Sequence, residues 1–319
     1  MADRYWVGGT GTWSSSNTTN WSTSTGGSGG ASVPTSSDNV FIDTNSVLNT
    51  STVTVDTSYA ATCNNLDVSG APGPAGGGSG LAINPSATLT VSGTFVGGSF
   101  AIIPGPGSGA ANKIIFNSSN ANTSFTPGNS FTPPSAFGIR MEFNGTGGWD
   151  LAGNLTCQSI IFTKGTLDTL NFNIDVGAGN SFTSDGTETR VLTLGSSNVL
   201  GGSWLILNST NFTLNAGTSN LGTTNDGFEA FYGGGLTYYN VLLETRGDRV
   251  LFIKGSNTFN NLTLENLLQN AINSPAILFI ESGKTQTITG TFTSSPISSR
   301  RILIRTGTSN SDTNFSQNT

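Results

Sequence analysis

Apolar and polar residues alternate along the chain in short bursts, and one burst recurs. Phe259–Leu264 reads FNNLTL, Cys63–Val68 reads CNNLDV, Cys157–Phe162 reads CQSIIF and Tyr238–Leu243 reads YYNVLL. Each begins with an apolar residue, a cysteine or a tyrosine, carries Asn or Ser third, and has branched or aromatic residues fourth and sixth. The fourth and sixth positions are two apart and share one face of a strand. The first and fourth are three apart, so a straight strand cannot turn both inward. A corner at the second and third positions resolves the conflict, because Asn tolerates bent backbone and hydrogen-bonds locally. Corner then short strand, repeated at irregular intervals, is a β-solenoid seen in one dimension. The pattern predicts that Leu66, Ile160, Val241 and Leu262, with Val68, Phe162, Leu243 and Leu264, face one core. It also places Asn65, Ser159, Asn240 and Asn261 at corners.

Similar short strands fill the rest of the chain. VTVD (Val53–Asp56), LDVSG (Leu66–Gly70), LTVSGTFV (Leu89–Val96), IRMEF (Ile139–Phe143), WDLAGNLT (Trp149–Thr156) and IIFTKGTLDT (Ile160–Thr169) are alternations ended by turn residues. Leu170, Phe172, Ile174 and Val176 alternate with polar residues and read as one half-buried strand. Thr285, Thr287, Thr289, Thr291 and Thr293 make another alternating row, and ILIR (Ile302–Arg305) is the last strand. The Gly- and Pro-rich segments at 71–80 and 104–107 read as loops, and the polar stretch near 117–135 as an excursion from the stack. The nearest thing to a helix, Leu262–Ala271, begins inside a strand pattern. At about 20 residues per turn the chain is predicted to make roughly a dozen turns, a rod of about 60 Å at the strand spacing. Residues 1–45 differ from the rest: Trp6, Trp13 and Trp21 fall there, out of five Trp in all. They are expected to cap the first turn, with the solenoid running over 46–319.

Composition fits a stacked coil of neutral corners. Of 319 residues only 9% are charged and 43 are Gly. Net charge is −6, and Arg300, Arg301 and Arg305 are too few for a nucleic-acid surface. The absence of His removes the commonest general base and zinc ligand. Cys63 and Cys157 hold the same place in the hexad, so both are expected as buried apolar plugs on one side of the core. Met1 is followed by polar Ala2-Asp3-Arg4, with no signal-peptide pattern, and no apolar run reaches membrane-spanning length.

The opening RYWVGGTGTW…TNWST…VPTSSDNVFID, with KGTLDT, LNAGTSN, GGGLTYYNV and GSNTFNNLTL, resembles β-helical proteins found among bacteriophage tail and virion-associated proteins. The opening is more distantly similar to the strand repeats of autotransporter passengers and surface adhesins. The resemblance implies a right-handed parallel β-helix in a virion or other extracellular particle, with a structural or receptor-facing role. Its implied partners are other copies of the chain, other virion proteins or a host surface glycan. It transfers no catalytic residue.

Candidate chemistry is sparse. Glycoside hydrolysis needs two carboxyls about 5–10 Å apart in a cleft. The candidate pairs are Asp226 with Glu229, Asp185 with Glu188, and Asp38 with Asp43. The first is the best placed, since Tyr232, Tyr238 and Tyr239 follow it and aromatic rings stack on sugars. The plainer reading makes every pair corner residues. No Ser or Cys has a His to activate it, GTGTW and GGGLT precede no helix, and tandem calcium-binding repeats are absent. The Thr row has the spacing of an ice-binding face but is confined to one strand. The residues therefore lead to no catalytic, cofactor or metal site. The expected function is a structural, non-enzymatic surface component of a virus-like particle, with a glycan-depolymerising tailspike and a cellular adhesin or filament subunit as alternatives.

Overall fold

The computed structural model describes residues 1–73, 80–105, 112–129, 139–177, 180–223, 229–245, 250–266, 276–295 and 302–307. Among these residues there is no helix. The chain winds as a β-solenoid of about 9 turns whose successive turns pair in parallel. The described strands form sheets of 19, 8 and 4 members.

The 19-stranded sheet holds two columns of rungs. One runs in register through Leu89, Ile114, Met141, Ile160, Phe182, Trp204 and Phe231. The other runs through Val40, Leu66, Phe95, Phe125 and Leu151. The long strands Arg140–Leu151 and Ser159–Asp168 belong to both columns and bend where their register breaks, between Phe143 and Gly148. That corner needs glycine, since a Cβ on Gly145 would collide with the Ser118 carbonyl of the turn before. The remaining side is closed by the 4-stranded sheet in the early turns, from Gly11–Trp13 to Ile102–Pro104. The 8-stranded sheet, from Leu155–Thr156 to Phe292–Ser295, does so in the later ones.

All eight aliphatic and aromatic hexad positions are at most 3% exposed and belong to one core. Each such side chain contributes about 1.5–3 kcal/mol on burial. Aromatic rings continue from rung to rung: Phe95 stacks on Phe125 at 5.1 Å, Phe116 on Phe143 at 5.2 Å and Phe182 on Trp204 at 4.6 Å. Asn64 and Asn65 lie between the strands ending at Cys63 and starting at Leu66, as the corner reading requires. Ser159 instead opens the strand Ser159–Asp168, and Asn240 and Asn261 fall inside the continuous strands Thr237–Thr245 and Thr258–Asn266.

The hexads do not form one ladder, however. Leu66 lies in one column of the large sheet, Ile160 in the other, and Val241 and Leu262 in the 8-stranded sheet. The motif is a rule for turning corners, and the chain uses it on different sides. Cys63 and Cys157 are accordingly both buried and unpaired but do not share a side, and burial pushes both thiols well up.

Four further expectations change. The turn is longer than 20 residues in most places. Hydrogen bonds linking neighbouring turns span 19 residues from Asn173 to Asn154, 22 from Asn220 to Asn198 and 30 from Thr291 to Asn261. Corner insertions thus reduce a dozen turns to about 9, a stack of roughly 40 Å. The stretch near 117–135 contains a rung, Thr123–Thr126, paired on both sides, while 130–138 lie outside the described residues. Leu170 and Phe172 are not in a strand. They sit on an exposed corner with positive φ at Leu170 and Asn171, and only Ile174–Asp175 is extended. The Thr row is broken into Thr287–Ile288 and Phe292–Ser295, so it makes no flat face. Of the helix-like segment, Leu262–Asn266 continues the strand Thr258–Asn266, and 267–271 lie outside the described residues.

At the N-terminal end Trp6, Trp13 and Trp21 are fully buried and meet edge to face at 5.1 and 5.0 Å. Asp3–Trp6 pairs in parallel with Asn39–Phe41 and antiparallel with Trp21–Ser22. The antiparallel pairing departs from the parallel stack, and the three indoles belong to the buried core cluster.

Candidate functional site

The acids singled out in the sequence are placed as corner residues where they are described. Asp38 accepts hydrogen bonds from the Ala2 and Thr35 backbone N–H groups and the Thr35 hydroxyl. Asp43 accepts from Thr25, Ser46 and the Asn45 N–H. Burial raises both carboxyls, but these hydrogen bonds outweigh it and hold them below the usual range. Glu188 faces Lys164 at 3.8 Å, and Asp185 lends charge to the neighbouring Arg190. Asp226 and the side chain of Glu229 lie outside the described residues. Tyr238 is not available to a ligand: it is 1% exposed, donates to the Gly233 carbonyl and accepts from the Trp204 indole. The Tyr232 ring is covered by the Lys254 ammonium at 4.3 Å.

Arg190 shows how such a corner is held. Its guanidinium is fully buried and donates to Ser184 Oγ and to the carbonyls of Gly186, Glu188 and Thr210, while lying 5.3 Å from the centre of the Phe212 ring. It ties two turns together and is consumed in doing so.

The feature that sequence reasoning missed lies on the outer surface of the 8-stranded sheet. Asn261 donates to Asn240 at 2.8 Å, Asn240 to Asn220 at 2.7 Å and Asn220 to Asn198 at 2.8 Å. The ladder continues through backbone donors: the Asn198 N–H bonds the Asn173 carboxamide, and the Asn173 N–H bonds that of Asn154. The carboxamides of Asn220, Asn240 and Asn261 each spend one of their two N–H groups on the neighbour before, whereas those of Asn198, Asn173 and Asn154 take part through their oxygens. Beside it runs an outward column, in register from Asp175 through Leu200, Gly222, Leu242 and Thr263 to Thr293. Leu200 is 41% exposed and overlies Gly222, where a Cβ would come within 2.8 Å of Leu200 Cδ2. Two hollows of about 480 and 530 Å³ follow these columns and share Asn220, Leu221 and Leu242, so together they make one groove across the rungs. Glu265 lines it, in register with Glu244 of the turn before. The recurrence of Asn at 198, 220, 240 and 261 was a usable signal, because those intervals are turn lengths.

A second acid pair is also new. Asp150 and Asp168 are in register on adjacent rungs of the large sheet, and burial together with the charge of Asp168 raises the Asp150 carboxyl. Neither residue lines the groove.

The groove's carboxamides, hydroxyls and aliphatic side chains can hold a ligand by hydrogen bonding and contact, and Asp175 and Glu265 add carboxylates to its lining. Among the described residues no three His, Cys, Asp or Glu side chains gather as metal ligands. Fold and groove define the class: a parallel β-solenoid with an amide-lined outer groove. Comparison with protein-family models, with curated proteins and with solved structures returns no match.

Proposed function

We propose that this chain is a structural, non-enzymatic component on the surface of a virus-like particle: a tail fibre, a spike or a related appendage that builds the structure or faces a receptor. The observation that carries the reading is the stack of parallel rungs, whose outer groove on the 8-stranded sheet is lined mostly by carboxamides, hydroxyls and aliphatic side chains. Its Asn ladder ties successive rungs together through one carboxamide N–H from each donor, and Asp38 and Asp43 hold corners. The likeness of the RYWVGGTGTW…VPTSSDNVFID opening to phage tail and virion-associated β-helices supports the viral setting. A stiff array of rungs loses little entropy on association, and an exposed edge docks a neighbouring strand. Further copies of the chain and other virion proteins are therefore its proposed partners, and it uses no cofactor.

One observation favours the depolymerase as a second reading: Glu265 lines the groove and Glu244 stands in register with it on the adjacent rung. Strand spacing near 4.8 Å is close to the carboxylate separation of a retaining glycosidase, about 5–5.5 Å. Incubation of the full chain with a panel of bacterial polysaccharides separates the two. The structural reading expects no reducing ends above background. Turnover that disappears in Glu244→Gln or Glu265→Gln, or in Asp226→Asn or Glu229→Gln, overturns it in favour of the enzyme.

A further inference from the structure

We infer that the groove on the 8-stranded sheet holds a neutral, linear, unbranched glycan lengthwise, across the rungs. This deepens the receptor-facing form of the proposed function and rests on it for the biological setting, although the chemistry is the groove's own.

Period is the first support. Groove-lining groups repeat once per rung, at about 4.8 Å, from Asn154 at one end to Thr293 at the other. A ligand that engages several rungs needs a repeat close to that spacing. An extended peptide repeats its side-chain pattern every two residues, about 6.6–6.8 Å, and falls out of step within a few rungs. One sugar ring in an extended chain is about as long as one rung is wide, so successive rings meet successive carboxamides.

Chemistry is the second. The remaining N–H groups and the oxygens of the Asn ladder, with the hydroxyls of Thr263 and Thr293, are neutral donors and acceptors matched to sugar hydroxyls. Leu200, Gly222 and Leu242 form an apolar strip beside them, with the Leu200 side chain lying over Gly222 and offering an aliphatic surface to a ring face. Charge is the third. Among the described residues the carboxylates at the groove are Asp175 and Glu265, which line it, with Glu244 in register with Glu265 on the adjacent rung. All are acidic, and the whole chain carries −6. Polyanions such as nucleic acids, sulfated glycans and polyuronates are repelled, whereas a neutral chain is not.

The test titrates the full chain with unbranched glucan, mannan and galactan oligosaccharides from disaccharide to decasaccharide, with heparin as the polyanion. At least one neutral series is expected to bind, more tightly as the chain lengthens, until the oligosaccharide spans the groove. Leu200→Glu and Leu242→Glu each place a charge on an outward side chain and are expected to weaken binding about tenfold. Thr183→Glu, on the large sheet, is expected to leave it unchanged, with circular dichroism confirming that all three variants fold. The inference is overturned if no neutral oligosaccharide binds, if both groove variants bind as well as the parent, or if heparin is the sole ligand. If the chain is nevertheless found on a particle surface, the groove inference falls and the structural reading stands. If neutral glycans bind but the chain labels no particle, the groove inference stands and the structural reading falls.

Discussion

Asp150 and Asp168 show what one rung of separation does to a residue. Parallel register puts their carboxylates on neighbouring strands, and Asp150 is raised first by burial and then by its neighbour's charge. The folded chain therefore holds that proton to higher pH than the unfolded chain, whose carboxyl returns to about 3.8. The pair is at its most favourable below the unfolded value, and it becomes less so as pH rises through the folded one. Asp168→Asn removes the second cause while keeping an acceptor for the Leu170 N–H, now held at 2.8 Å. The variant is expected to be more stable than the parent at neutral pH, by less than about 1 kcal/mol because the pair is partly solvated. That gain should vanish as the pH falls and Asp150 takes up its proton, because a neutral carboxyl is not repelled by its neighbour. Urea midpoints across pH measure it, and a gain that persists in acid contradicts the pairing. None of this was legible in the sequence: WDL and TLD each announce an outward Asp, but their meeting depends on a turn length that no local pattern encodes.

At the scale of elements, the corner rule was legible and the ladder was not. A hexad whose first and fourth residues are both apolar forces a bend, so strands near Cys63, Cys157, Tyr238 and Phe259 followed from spacing alone. The run from Leu170 to Val176 misled because period two is satisfied equally by a strand and by a corner that presents Leu170 and Phe172 to solvent. The side chain of Asp168, by bonding the Leu170 N–H, selects the corner. The Asn ladder joins residues 20–22 apart, outside any window that reads one element. Its members should be coupled energetically. Asn240→Ala removes the donor to Asn220 and the acceptor for Asn261, an expected cost of about 1–3 kcal/mol. In a double-mutant cycle with Asn220→Ala the two losses should sum to more than the double variant shows, by about 0.5 kcal/mol or more. Strict additivity would mean that the carboxamides act singly.

At the scale of the molecule, the single core running through the solenoid was the most legible property, because burial at the hexad positions needs no knowledge of which side each one occupies. The number of turns was less so, since corner insertions of different lengths leave no periodic trace. A stack of parallel rungs leaves unpaired backbone and apolar core at its first turn. The buried cluster of Trp6, Trp13 and Trp21, beside the antiparallel strand Trp21–Ser22, is expected to cover that end. Removing residues 1–30 is therefore expected to produce aggregates in sedimentation velocity, whereas a soluble monomer of unchanged melting temperature would show that the cluster is no cap.

The role of the whole chain turns on where it resides. Antibody raised against the purified protein, coupled to gold, can be applied to virus-like particles concentrated from the material that yielded the sequence and viewed by electron microscopy. A structural surface component predicts gold at a fixed place on the particle, on tails, spikes or fibres. Gold confined to cell envelopes or free filaments, with particles bare, would contradict it.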